Sequence, residues 1–204
     1  MNIITNCCLG GFITRDVLHE QFSNPFVWVW MTTNDVCNIV HNYSSLDFRK
    51  FIIRPHDGQL VENCCFDIIV DNQITLVYSH YQFNSNYPNE FIDRTRNIVI
   101  SDHIWEYVVK KYVERVKRME ILNEQPVFLI CDNRNGCGTF TTEQVNDLSQ
   151  HSKYKIVFCS EIDYSNKANQ MFYFVKKHGN LLNEIISENG DDIKNFLTND
   201  TNVN

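Results

Sequence analysis

PVFLIC at residues 126–131, TTEQVNDLSQ at 141–150 and YKIVFCS at 154–160 follow one another as strand, helix and strand. The two outer runs are continuously apolar, which is the pattern of strands buried on both faces. Strands of that kind separated by helices predict a sheet covered on both sides. CDNRNGCG, residues 131–138, then falls at a strand's carboxyl end, where open α/β sheets gather ligands; its Asn-Gly step is equally a turn signal.

Toward the C-terminus, NQMFYFVKK (169–177) reads as strand or helix, and LLNEIISENGDDIKNFLTNDTNVN (181–204) as a terminal helix followed by a polar tail. Toward the N-terminus, DHIWEYVVKKYVERVKRME (102–120) repeats its apolar residues Trp105, Val108, Val109, Tyr112, Val116 and Met119 at three- and four-residue steps after Asp102, a helix-capping residue. Residues 84–102 show little periodicity and read as a long loop, with the length of a lid. FDIIVDNQITLVYSHY (66–81) is the clearest hairpin, two β-branched runs around Asp71, Asn72 and Gln73. TTNDVCNIVHNY (32–43) predicts a helix capped by Thr33 or Asn34, and Phe26–Met31 of FSNPFVWVWM a strand after a Ser-Asn-Pro turn. The start reads as a strand at Ile3 and Ile4, a sharp turn, and a helix carrying Phe12, Ile13, Val17 and Leu18.

The expected architecture is a single α/β domain over residues 1–190, a Rossmann-like three-layer sandwich, with a polar tail over 191–204. Its sheet is expected to be mixed, because the hairpin breaks pure parallelism.

A net charge of −7 and a pI of 5.4 give no global footprint for duplex nucleic acid or an anionic membrane. No run reaches the roughly 18 apolar residues of a spanning helix. Eight cysteines would suit a disulfide scaffold, but MNIITNCC has neither a charged n-region nor a long apolar h-region, so a cytoplasmic protein with reduced thiols is expected. Cys7-Cys8 and Cys64-Cys65 are adjacent pairs, and CxxC and HxxxH are absent, so no metal site is expected.

NCCLGG (6–11) places two cysteines between the first strand and the first helix. A helix N-terminus there would lower a thiol's pKa and offer N–H groups to an oxyanion. The competing reading is an inert buried cysteine, common in strands. His80 at the hairpin's end would complete a nucleophile and base couple; His56, in RPHDG, is a weaker candidate. Lys111, Arg115 and Arg118 lie at i, i+4 and i+7 on the long helix, a stripe suited to a phosphate or to a solvated face. The aromatic stretch FVWVWM could stack on sugar rings, although core packing explains it as well.

In order, NCCLGG, NPFVWVW, the strand ending SHY, the helix KYVERVKR and the turn NRNGC resemble a bacterial family of unknown function often encoded among exopolysaccharide and capsule genes. Its members show NCWGG, an SPF-type segment, HY, a KWxRRxxR helix and DRDGC; the similarity runs over about residues 2 to 160. The resemblance matches Cys8 to the family cysteine, with Leu9 in place of its tryptophan and Cys7 in place of its asparagine. It matches Gly10 and Gly11, His80, Arg115 and Arg118, and finally Arg134, Gly136 and Cys137. Asn133 and Asn135 replace aspartates, which puts an acid or base role there in doubt.

Related capsule-gene families are described as papain-like cysteine peptidases or as coenzyme A-binding acetyltransferases. The resemblance therefore implies acyl transfer from acetyl-coenzyme A to a sugar or nucleotide sugar of surface polysaccharide. In that scheme Cys8, His80 and Asn133 are catalytic, and Asn6, Gly10, Gly11, Lys111, Arg115, Arg118 and Arg134 bind substrate. A papain-like cysteine hydrolase and a non-catalytic carbohydrate-binding module are the alternatives.

Overall fold

Among the described residues two four-stranded sheets organise the chain, rather than the single mixed sheet expected from the sequence. The computed structural model describes residues 1–20, 24–56, 64–81, 102–122, 124–131, 138–150, 154–160, 162, 172–176 and 182–199. The long loop expected at 84–102 lies almost wholly outside these residues.

The first sheet is parallel and runs β1 (Ile3–Thr5), β6 (Val127–Cys131), β7 (Lys155–Ser160), β8 (Phe172–Lys176). Its residues alternate between two cores, as a pleat requires. Ile4, Phe128, Ile130, Ile156 and Phe158 enter one core; Ile3, Val127, Leu129, Val157, Cys159 and Val175 enter the other. Because both faces are dry, every position of β6 and β7 could be apolar, and the sequence shows that run. The ambiguous segment 169–177 resolves as β8.

The second sheet is antiparallel, in the order β2 (Val29–Trp30), β5 (Ile74–Tyr81), β4 (Cys64–Val70), β3 (Phe51–Pro55). The expected hairpin is β4 and β5. Asp71 and Asn72 both have positive φ, 49° and 55°, and the Gln73 N–H donates to the Val70 carbonyl at 2.9 Å. That primed turn matches the strand twist, and Asx residues tolerate it best after glycine. The inner face, with Val29, Ile53, Phe66, Ile68, Leu76 and Tyr78, shares the first core with the parallel sheet.

Helices α2 (Thr33–Asn42), α3 (Asp102–Leu122) and α4 (Thr142–Gln150) contribute to that shared core; α5 (Leu182–Thr198) serves the other. Helix α2 is capped one residue earlier than the sequence suggests. Thr32 accepts from the Asp35 N–H at 3.1 Å while the Asp35 carboxylate accepts from the Thr32 N–H, a reciprocal capping box. Helix α3 buries Val108, Tyr112, Val116 and Met119, the stripe its periodicity predicts.

Three expected boundaries are corrected. The strand expected at Phe26–Met31 shrinks to Val29–Trp30, because residues 25–28 form a turn in which Trp28 has a φ of 65°. The first helix is α1 (Leu9–Phe12), one turn long, which widens into a π-helical turn over Ile13–Val17. The polar tail does not start at 191: α5 continues to Thr198 with Ile193 and Leu197 buried.

Candidate functional site

The site singled out from the sequence starts where β1 ends. Thr5 closes the strand, and its hydroxyl both donates to the Cys7 carbonyl at 3.0 Å and accepts from the Cys7 N–H at 3.4 Å, folding the chain back on itself. The two cysteines thereby part company. Cys7 is buried and its sulfur accepts the Leu9 N–H at 3.5 Å, whereas Cys8 is half-buried and its carbonyl starts the helix by accepting from Gly11 and Phe12. One of the N–H groups at the helix start, that of Leu9, is therefore taken by Cys7.

Asn6, Gly10 and Gly11 were expected to bind substrate, and all three are buried. The Asn6 carbonyl accepts from the Met31 N–H at 3.2 Å, tying the end of β2 to the end of β1. A Cβ on Gly10 would lie 2.5 Å from Thr5 Cγ2, and one on Gly11 2.2 Å from the Trp28 ring. Both glycines are there for close approach.

Trp28 forms the wall opposite the helix. Its ring stands edge-on to Phe12 with centroids 5.2 Å apart, and the Arg15 guanidinium lies over both rings at 5.1 and 5.8 Å. The left-handed backbone at Trp28 is held by its neighbours. Asn24 Nδ2 donates to the Ile3 carbonyl at 2.7 Å and Asn24 Oδ1 accepts from the Phe26 N–H, so one side chain joins the turn to the edge of β1. The Tyr78 hydroxyl donates to the Pro25 carbonyl, and Arg115 donates to the Val27 carbonyl at 3.3 Å while stacking 5.1 Å from the Tyr78 ring. Burial raises the Tyr78 pKa, and the Arg115 charge partly offsets that.

This placement changes the reading of the cationic stripe. Arg115 is half-buried and anchors the 24–28 turn, and Lys111 lies 5.5 Å over Tyr107; the three cations are not one equivalent solvated row. Among the other expected site residues, Asn133 and Arg134 lie outside the described residues, as do Asn135, Gly136 and Cys137. His80 belongs to β5, but its side chain lies outside them too. The structure thus brings Phe12, Arg15 and Trp28 together, on and against the helical segment that begins just after Cys8.

A second constellation joins His56, the weaker histidine candidate, to Asp67 and Arg54, which the sequence did not single out. Asp67 on β4 is buried, and its carboxylate accepts from His56 Nδ1 at 2.6 Å and from Arg54 Nε at 3.1 Å. The available signal was an aspartate inside an otherwise apolar strand run, CCFDIIV. A buried charge of that kind requires partners.

Cys37 on α2 behaves as a structural thiol. Burial, with a contribution from Asp147, pushes its pKa up to about 11, so it stays protonated at neutral pH. Among the described residues no group of three or more His, Cys, Asp or Glu side chains could hold a metal ion, and no helix is long and apolar enough to cross a membrane. The chain matches no protein-family model, and comparison with curated proteins gave no match.

Proposed function

We propose that the chain is an acyltransferase of surface-glycan synthesis, with Cys8 as its nucleophile, acetyl-coenzyme A as donor and a sugar or nucleotide sugar as acceptor. The observation that supports this reading is the position of Cys8. It is the half-buried member of the cysteine pair, just past the carboxyl end of a parallel strand and immediately before the helical segment that carries Phe12 and Arg15. We take the parallel sheet as the centre of a Rossmann-like three-layer core in a cytoplasmic protein. Its four strands run in simple chain order, without the reversal that creates a ligand crevice, so the strand end rather than a switch point locates the site.

In this reading His80 removes the Cys8 proton, the thiolate attacks the thioester carbon, and coenzyme A leaves as the thiol with that proton. A sugar hydroxyl then attacks the acyl-cysteine, gives its proton to His80 and frees Cys8. Asn133 orients His80, while Lys111, Arg118 and Arg134 meet the phosphates of donor or acceptor.

Release of free coenzyme A thiol from acetyl-coenzyme A and candidate sugars is the test. Cys8→Ala should lower the rate by at least about 100-fold, while Cys7→Ala, if folded, stays within several-fold. Absence of both coenzyme A binding and thiol release sinks the proposal. Labelling of Cys8 by an electrophilic thiol probe without donor binding would favour a papain-like hydrolase instead. Glycan binding that survives Cys8→Ala with no turnover would favour a binding module.

A further inference from the structure

The cluster on the outer face of the antiparallel sheet has a built character of its own. In the β3–β4 register Arg54 lies directly opposite Asp67, and Pro55 opposite Phe66, so the chain leaving β3 delivers His56 back to the same carboxylate. Each carboxylate oxygen then serves one partner: Oδ1 accepts from His56 Nδ1 and Oδ2 from Arg54 Nε. The Asp67 side chain is only 5% exposed, whereas Arg54 is 53% and His56 38% exposed. The desolvated charge is the aspartate, and the two groups it braces face outward.

This arrangement fixes what is left over. A carboxylate beside Nδ1 favours the tautomer with the proton there, which leaves Nε2 as an acceptor in the neutral ring and a donor in the charged one. Arg54 spends Nε on Asp67, and its two terminal nitrogens make no hydrogen bond to another described residue. Those nitrogens form a planar fork suited to two oxygens of an oxyanion. Both side chains are already ordered by Asp67, so a ligand meets groups whose rotamer freedom is already reduced.

The leftover valences discriminate between anions. A phosphate group offers charged oxygens to the guanidinium and, in its singly protonated form, an O–H that can donate to a neutral Nε2. A carboxylate at neutral pH offers no such donor and suits only the charged ring. We propose that Arg54 and His56, braced by Asp67, bind a phosphate group on the outer face of the antiparallel sheet. Asp67 lies on β4 of the antiparallel sheet whereas Cys8 follows β1 of the parallel one, and none of Arg54, His56 and Asp67 takes part in the chemistry proposed at Cys8, so this inference does not rest on that reading.

The His56 ring nitrogens in 15N-labelled protein report on the site directly. Titration with inorganic phosphate, at fixed pH and with sodium chloride holding ionic strength constant, should move the Nε2 resonance saturably. Arg54→Gln should weaken that response by about tenfold or more, the loss of charge-assisted hydrogen bonds. Acetate at equal concentration should give a much weaker response. A sugar phosphate that saturates at lower concentration than inorganic phosphate would identify an organic monoester as the ligand; equal affinities would identify the free anion. A shift that never saturates, one that survives Arg54→Gln unchanged, or one matched by acetate overturns the proposal. If thermal melting shows that Arg54→Gln fails to fold, Arg54→Lys replaces it: it keeps the charge without the fork, and unchanged affinity there overturns the proposal equally.

Discussion

The two sheets solve the problem of burial in opposite ways. Strands β1, β6 and β7 of the parallel sheet bury apolar residues on both faces, and the one charged side chain described among them, Lys155, lies at a strand end. The antiparallel sheet gives one face to the shared core and carries Ile52, 56% exposed, with Arg54 and Asp67 on the other. A sheet with no wet face leaves chemistry only its strand ends, which is where Cys8 lies. A sheet with a wet face can place chemistry mid-strand, which is where Asp67 lies.

The sharpest way to break this contrast is to truncate one apolar side chain in each sheet. Phe158→Ala removes a fully buried ring that packs edge-on to Phe140 and should cost about 3–5 kcal/mol. Ile52→Ala on β3 should stay within about 0.5 kcal/mol. Urea denaturation of both variants checks the pair, and equal costs would mean that the outer face of β3 is covered in solution.

A smaller effect tests the strand end itself. Gly10→Ala drives a methyl group into Thr5, a β-branched residue fixed in β1, and should cost about 1–3 kcal/mol. Thr5→Ser keeps the hydroxyl that clamps Cys7 and removes Cγ2, so the double variant should recover part of that loss. Additive effects in the same denaturation assay would mean that the glycine is needed for something other than this contact.

An effect no larger than that of Gly10→Ala is alkaline and falls on α2, which contributes to the shared core, and on its C-cap residue Tyr43. Burial raises Cys37 from its ordinary value of 9.0 to about 11 and Tyr43 from 10.0 to about 12. Both groups hold their protons more tightly when folded. Their contribution is complete below about pH 9 and is lost as pH rises, through 9 to 11 for Cys37 and 10 to 12 for Tyr43. After discounting for partial exposure the total is about 1–3 kcal/mol. Denaturation midpoints between pH 8 and 11 should fall, and Cys37→Ala should flatten the first part of the slope.

Much of this was legible in the residues, for physical reasons that differ along the chain. The β4–β5 hairpin, α3, β6, α4 and β7 announce themselves because their determinants are local: a turn pair, a 3.6 period, an unbroken apolar run. The division into two sheets was not legible, since strand pairing is set by contacts far apart in sequence. The short α1 and its π-turn were hidden because Phe12, Ile13, Val17 and Leu18 are compatible with either helix type. At the site, the strand-end position of Cys8 could be read, but not that Cys7 takes the Leu9 N–H or that Asn24 and Arg115 hold the Trp28 turn. The partnership of His56 with Asp67 depends on the β3–β4 register, which no local pattern prints.

Strand β1 also has a temporal consequence. Ile3 pairs with Val127 across most of the described chain, while Val70 pairs with Ile74 across a single turn. Closing the longer loop carries the larger entropic cost, and non-local pairings of this kind form slowly. The hairpin is therefore expected to assemble early and β1 late. Until β1 docks, Cys7 and Cys8 are two ordinary adjacent thiols, and the difference between them is among the last features the folding chain acquires.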